Sequence, residues 1–215
     1  MSHAPQLQTS LLGEQDIRTV LVDPPWDAEQ GGGGKGANAK YPLLSVDEIV
    51  RVIQEECPHW DRVCDSAHLW MWTTNTTVCN KDAFAVAEGL GFTPKTQFTW
   101  CKEADNGEPQ KGIGYYSYGA TEHLWLCVRG DAMKPEKRHP TWFSAKRGEH
   151  SVKPEASYFL VEQTSPGGYL EIFARRPRDG WTCWGNQICD GCGRYLEITE
   201  YDEIEDCSGC DNRPF

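Results

Sequence analysis

The chain has 215 residues, of which 39% are hydrophobic and 25% charged, a composition typical of a globular protein rather than a disordered or fibrous one. No apolar run reaches the roughly 18 residues of a membrane-spanning helix, and the first 15 residues lack the pattern of a secretory signal. We therefore expect a cytoplasmic protein with reduced thiols. The net charge of −11 argues against non-specific wrapping of nucleic acid but leaves room for a local basic site.

Strands and helices alternate along the chain in the predicted secondary structure. We expect strands at 19–22, 68–73, 95–100, 122–128, 169–174 and 181–184. Helices are predicted at 45–56, 81–90 and 154–163, the first opened by a capping box and the second capped by Asn80. Residues 102–121 and 130–150 look like long loops. This alternation indicates an α/β fold with a mostly parallel sheet, helices on both faces and ligands at the carboxyl ends of the strands.

The first strand runs directly into Asp23-Pro24-Pro25-Trp26. Two prolines remove two backbone donors and stiffen the chain, so that its carbonyl oxygens become fixed acceptors beside the Asp23 carboxylate and an aromatic plate. Acceptors on both N–H groups of an exocyclic amine, such as adenine N6, could rotate the nitrogen and aim its lone pair at an electrophile. An ordinary turn after a strand explains an isolated Asp-Pro-Pro equally well.

Further motifs follow this one in an order that resembles the DPPW-type N6-adenine methyltransferases. That family includes the catalytic subunit of the eukaryotic messenger-RNA adenosine methyltransferase and many bacterial and phage DNA adenine methyltransferases. The resemblance covers roughly residues 17–187, and the motifs that carry it lie at 23–26, 41–49, 69–72, 100–102, 119–124, 150–155, 170–175 and 180–187. It implies a permuted Rossmann-like sheet that uses S-adenosylmethionine as methyl donor.

The resemblance also implies roles for individual residues. Asp23, Pro24, Pro25 and Trp26 would form the catalytic turn, with Asp23 and the Pro24 carbonyl on the target N6. Trp26 and Tyr41 would line or stack on the base. The donor would be held by Asp23, Lys153, Arg175, Asn186 and Gln187, with Lys153 at its carboxylate and the last three at its ribose. Glu122, which opens a predicted strand, is as consistent with a structural role as with a catalytic one.

A basic stretch at residues 134–153 has a net charge of +4 and contains Trp142 and Phe143. Cations interleaved with aromatics suit a strand of nucleic acid, although a charge run is more often a solvated loop. Beside a base-modifying site we favour nucleic acid. Because N6 is hidden inside a duplex, the target adenine must be flipped out or single-stranded.

Two C-x-x-C pairs, Cys189/Cys192 and Cys207/Cys210, stand 14 residues apart near the C-terminus. This spacing predicts a small zinc ribbon in which four thiolates form a closed, structural site. Iron in the same ligand set and two redox-active pairs are the alternatives. We therefore divide the chain into a methyltransferase domain at 1–187 and a zinc-ribbon-like module at 188–215.

The sequence thus predicts a site-specific, S-adenosylmethionine-dependent adenine-N6 methyltransferase, with DNA favoured over RNA by the compact size. RNA adenine methylation, cytosine N4 methylation and a catalytically inactive binding member of the same fold remain as alternatives.

Overall fold

A computed structural model of the protein describes residues 16–27, 43–112, 116–131, 134–135, 137–148 and 152–196. Seven strands form one sheet: β1 (Ile17–Val22), β2 (Val63–Thr73), β3 (Thr93–Glu103), β4 (Thr121–Arg129), β5 (Trp142–Lys146), β6 (Tyr169–Ile172) and β7 (Trp181–Trp184). The helices are α1 (Val46–Arg51), α2 (Asn75–Cys79), α3 (Asp82–Gly89) and α4 (Glu155–Thr164). A π-helical turn (Val52–Glu56) continues α1, and a 3-10 turn (Trp60–Arg62) precedes β2.

The strand order across the sheet is β5-β3-β4-β2-β1-β6-β7. All neighbouring strands are parallel except β4, which runs antiparallel to β2 and β3. The predicted mostly parallel α/β sheet is confirmed. From β1 the chain crosses to β2 on one side and later to β6 on the other. The carboxyl end of β1 is therefore a topological switch point, where open α/β sheets place their ligands.

Helices cover both faces of the sheet, as the sequence predicts. On one face, Ile49 of α1 and Val86 of α3 pack into a core cluster with Val20 and Val22 of β1. On the other face, Leu160 and Val161 of α4 pack against Leu21 with Trp70 and Trp72 of β2. The strand tryptophans at 70, 72, 100 and 125 are all buried in these clusters. No helix within the described residues combines the length and hydropathy needed to cross a bilayer.

Local sequence signals account for most element boundaries. The Ser45 side chain accepts from the Glu48 backbone while Glu48 accepts from the Ser45 backbone, so the predicted capping box opens α1. The predicted cap at Asn80 is displaced, because Lys81 adopts φ 72° and stands as the N-cap of α3. Strand β6 ends at Ile172 rather than 174, since Phe173 turns to φ 62°.

The prediction of a loop throughout 130–150 is wrong. Residues Trp142–Lys146 form β5, an edge strand that pairs in parallel with β3. Only Phe143 and Ala145 face the core, and the three residues alternating with them are exposed. The strand therefore depends on a partner about forty residues earlier in the chain, which local periodicity does not reveal.

Candidate active site

The turn after β1 is fixed by backbone and side-chain hydrogen bonds. The Trp26 N–H donates to the Pro24 carbonyl at 2.9 Å, and Leu44 N–H donates to the Pro25 carbonyl at 2.8 Å. The Trp26 indole N–H donates to the Trp72 carbonyl at 3.1 Å, and its ring packs against the core. These contacts hold Asp23 and the two proline carbonyls at the switch point with little freedom to move.

Asp23 forms an ion pair with Lys153, with 3.0 Å between Asp23 Oδ1 and Lys153 Nζ. Lys153 stands just before α4 and brings its ammonium within 3.1 Å of Glu122 Oε2 and 5.0 Å from the Trp72 ring centroid. Glu122 is also held by Lys102 at 2.5 Å. Four side chains of alternating charge, Asp23, Lys153, Glu122 and Lys102, therefore link the carboxyl ends of β1 and β3 to the start of β4 and the segment before α4.

Opposite charges that are neighbours in this cluster stabilise each other. Burial would raise the pKa of Glu122, but the ammonium groups of Lys153 and Lys102 outweigh it and hold that pKa below its ordinary value. Burial would likewise lower the pKa of Lys153, yet Asp23 and Glu122 raise it above its ordinary value. The ion pairs thus favour the charged forms of Glu122 and Lys153.

Lys102 belongs to the motif at 100–102, but the sequence assigned it no role, and it left the role of Glu122 open. Lys102 stands two residues after Trp100 on the same face of β3, and its ammonium lies 5.2 Å from the Trp100 ring centroid. The antiparallel register of β3 and β4 sets Glu122 opposite Trp100. The signal for this pairing lies in that register, which no local pattern of residue types predicts.

The residues expected at the donor ribose lie beyond β6 and β7. Asn186 is half-buried and Gln187 is buried, and the Gln187 amide donates to the Tyr195 hydroxyl at 3.4 Å. Arg175 follows β6 and is half-buried. The segment after β7 packs closely against the segment after β6 at Gly185. A Cβ at that position would stand 2.2 Å from the Ala174 carbonyl oxygen.

Replacing Gly185 by alanine is expected to destabilise the fold by about 1–3 kcal/mol, since the added methyl group meets backbone rather than a flexible side chain. Urea unfolding measures the effect. Gly167→Ala is the matched control, because a Cβ there meets no atom within 4 Å. Equal unfolding midpoints for the two variants would contradict the close approach.

A second buried network lies beside the site. Glu171 of β6 is 9% exposed and accepts from the Tyr158 hydroxyl at 2.8 Å. Burial raises its pKa from 4.5 to about 7, and the nearby Asp23 carboxylate adds to the rise. The Arg178 guanidinium lies over the Tyr158 ring at 4.2 Å and pairs with Glu155 and Glu162. These contacts anchor α4 to the sheet and therefore help to position Lys153.

The raised pKa of Glu171 predicts a pH dependence of stability. Because the folded state holds this proton up to about pH 7 and the unfolded chain releases it near 4.5, the stability contribution is fully present below pH 4.5. It is lost as the pH rises to about 7, by about 3 kcal/mol. Glu171→Gln should flatten this part of the profile of unfolding free energy against pH. Parallel profiles for the variant and the parent protein would contradict the assignment.

Other predicted site residues fall outside the described residues: Tyr41, Cys207 and Cys210. Cys189 and Cys192 are described, with Cys189 buried and Cys192 exposed. Within the part of the chain that the structure describes, no group of three or more His, Cys, Asp or Glu side chains is arranged to hold a metal ion.

Comparison with known proteins identifies the family of this chain. The family description MT-A70 matches residues 17–187, from the start of β1 to Gln187. The chain belongs to the MT-A70 family. The matched region contains the turn after β1, the Lys153 cluster and the segment after β7. Membership of this methyltransferase family supports S-adenosylmethionine as the methyl donor.

Individual MT-A70 relatives are distant. The chain is 27% identical to the type II methyltransferase M.MunI of a Mycoplasma species, over 91% of this chain and 86% of that protein. It is 26% identical to the human N(6)-adenine-specific methyltransferase METTL4, over 85% of this chain but only 39% of that protein. It is also 26% identical to the N6-methyladenosine RNA methyltransferase MTA1 of Cryphonectria parasitica, over 79% of this chain and 51% of that protein.

Proposed function

We propose that this MT-A70 protein is a site-specific methyltransferase that acts on the N6 amine of adenine in DNA. The observation that carries the proposal is the Asp23 carboxylate, held at the switch point of the sheet by Lys153 at 3.0 Å beside the fixed Pro24 carbonyl. A carboxylate and a carbonyl at such a turn are two acceptors for the two N–H groups of one amine.

The residues present fit the methyl donor. An ammonium group has three N–H donors, and among the described residues Asp23 and Glu122 take two of those of Lys153. The third suits the donor's carboxylate, while Arg175, Asn186 and Gln187 would hold the ribose hydroxyls. When bound, S-adenosylmethionine supplies an electrophilic methyl group on a positively charged sulfur.

The chain contributes to the reaction by positioning the amine. Asp23 and the Pro24 carbonyl accept the N6 hydrogens and turn the nitrogen lone pair toward the methyl carbon. Bound S-adenosylmethionine would supply the methyl group of the new N–C bond and would leave as a neutral thioether. The amine then loses one proton to water. Because Lys153 fixes Asp23 before substrate arrives, little reorganisation accompanies the step.

Two observations favour DNA over RNA. The chain spans 86% of M.MunI, a type II methyltransferase, whereas it spans 51% of the RNA methyltransferase MTA1. Its compact size also resembles the prokaryotic and phage DNA adenine methyltransferases. The similarity to a bacterial methyltransferase supports a location in the cytoplasm of a prokaryotic or phage-infected cell.

The substrate class is tested with labelled donor and matched DNA and RNA oligonucleotides of one sequence, each single-stranded and duplex. We expect label in DNA at a rate at least about 10-fold above RNA. The reverse preference would assign the protein to the RNA-modifying members, and no label in any oligonucleotide would favour an inactive binding protein.

We also propose a structural zinc ion bound by Cys189, Cys192, Cys207 and Cys210. The first pair lies in a tight hairpin: Gly193 N–H donates to the Cys189 carbonyl at 2.7 Å, and Cys189 N–H donates to the Arg194 carbonyl at 2.9 Å. Gly193 has φ 68°, which a side chain would disfavour. Such a turn after C-x-x-C suits a metal knuckle. Ile188 and Leu196, which flank this hairpin, are both buried.

Metal analysis of the purified protein tests this site. One zinc per chain is expected in the parent protein and in Cys79→Ser, which removes an exposed cysteine of α2. Cys192→Ser should lose most of the zinc. Iron in place of zinc, or a metal-free parent protein with full thermal stability, would contradict the proposal.

A further inference from the structure

Trp142 is an exposed aromatic residue on the edge strand β5. Its side chain is 62% exposed, although large aromatic groups are normally covered. The residues that alternate with it, Phe143 and Ala145, face the core instead. The indole therefore presents much of its surface to solvent from a rigid strand rather than from a loop.

Strand register places Trp142 in one row of residues across the sheet. Trp142 pairs with Thr99 of β3, Thr99 pairs with His123 of β4, and His123 pairs with Thr73 of β2. Val22, the last residue of β1, pairs with Met71, so Thr73 stands two residues further on, level with the Asp23-Pro24 turn. The row thus runs from the level of the catalytic turn to the edge of the sheet, on the face opposite Trp100 and Glu122.

Polar groups occupy the middle of this row. The Thr99 hydroxyl lies 3.1 Å from His123 Nδ1, and His123 Nε2 lies 2.8 Å from the Asn75 side-chain oxygen. Thr99 and His123 are half-exposed and Asn75 is exposed. Hydroxyl, imidazole and amide groups at a partly exposed sheet surface suit the sugars and base edges of a nucleic acid strand better than an apolar partner.

Exposed cationic residues precede and follow Trp142 in the sequence. Lys134, Lys137, Arg138 and Arg147 are exposed and make no ion pair with other described residues. Lys146 pairs only with the fully exposed Asp105, at 3.4 Å. Such cations attract phosphates, and an aromatic plate among them attracts a base, which is the combination found in single-strand binding surfaces.

We propose that Trp142 stacks on a base of the strand that carries the target adenine, a few nucleotides away from it. The inference rests on the proposed function and adds a flank-binding subsite to it. Four strand spacings separate β5 from β1, or about 19 Å. A stacked strand advances about 3.4 Å per nucleotide, so the stacked base lies at most about six nucleotides from the target.

Steady-state methylation of a single-stranded oligonucleotide with ten nucleotides on each side of the adenine tests the subsite. Trp142→Ala should raise KM about 10-fold, the effect of losing one base–aromatic stack, with kcat within 2-fold of the parent value. Trp142→Phe should recover most of the affinity. Phe159→Ala is the matched control, since it removes a 57% exposed aromatic from α4 and should change neither constant.

Shortening the oligonucleotide separates stacking from a structural effect. When one flank is cut to two nucleotides, the parent protein should lose affinity and the difference between parent and Trp142→Ala should vanish. An unchanged KM for Trp142→Ala on the long substrate overturns the inference, as does a defect of equal size on long and short substrates. If the parent protein methylates neither substrate, the proposed function itself fails, whatever Trp142 does.

Discussion

Asp23→Ala is expected to lower kcat for methyl transfer by at least about 10³-fold. The substitution removes one of the two acceptors that orient the amine, and mispositioning a reacting group costs rate on this scale. Donor affinity should fall by less than about 10-fold, because Lys153 keeps its contact with Glu122 at 3.1 Å. Single-turnover rates with saturating donor, together with calorimetric titration of the donor, separate the two effects.

A nearby carboxylate provides the control for this experiment. Asp27 lies four residues beyond Asp23 and is exposed. Asp27→Ala should therefore methylate at the parent rate. If Asp23→Ala transfers methyl groups within 10-fold of the parent rate, the amine is oriented by other residues and the mechanism is wrong.

Lys153→Met is expected to weaken donor binding by about 10²-fold and to destabilise the protein by about 3 kcal/mol. The loss of binding reflects one charge-assisted hydrogen bond to the donor's carboxylate. The loss of stability follows because two partly buried carboxylates lose the ammonium between them, and Lys102 remains as a partner for Glu122 alone. Donor titration and urea unfolding measure the two effects independently.

Lys95→Met is the matched control for this substitution. Lys95 is an exposed lysine of β3, so its replacement should leave donor affinity and stability unchanged. Lys153→Arg should recover most of the stability but less of the donor affinity, since a planar guanidinium does not reproduce a point charge. Donor affinity within 2-fold of the parent value for Lys153→Met would contradict the role of Lys153.

The elements that the sequence predicts correctly are those with strong local signals. Strand β1 is an apolar run stopped by two prolines, and α1 opens with a reciprocal capping box. Short α2 escapes prediction because its box pairs Thr74 with Thr77, neither of which stands out in a polar stretch. Strand β5 escapes because β3, far away in the chain, supplies its hydrogen bonds.

The residues of the candidate site likewise divide into those that sequence motifs indicate and those that depend on strand pairing. The motif after β1 indicates Asp23, and the resemblance to a family of methyltransferases indicates Lys153, which the structure brings together. The pairing of Glu122 with Lys102 could not be predicted in this way, because it depends on the register of an antiparallel strand inside an otherwise parallel sheet. Long-range pairing of this kind has no local pattern of residues that predicts it.

The central claim is that adenine N6 receives the methyl group. Its most direct test is nucleoside analysis by mass spectrometry of DNA incubated with the parent protein and isotopically labelled S-adenosylmethionine. The account predicts labelled N6-methyldeoxyadenosine with the parent protein and essentially none with Asp23→Ala. Label found in N4-methyldeoxycytidine, or in N6-methyldeoxyadenosine at equal levels with both proteins, would contradict it.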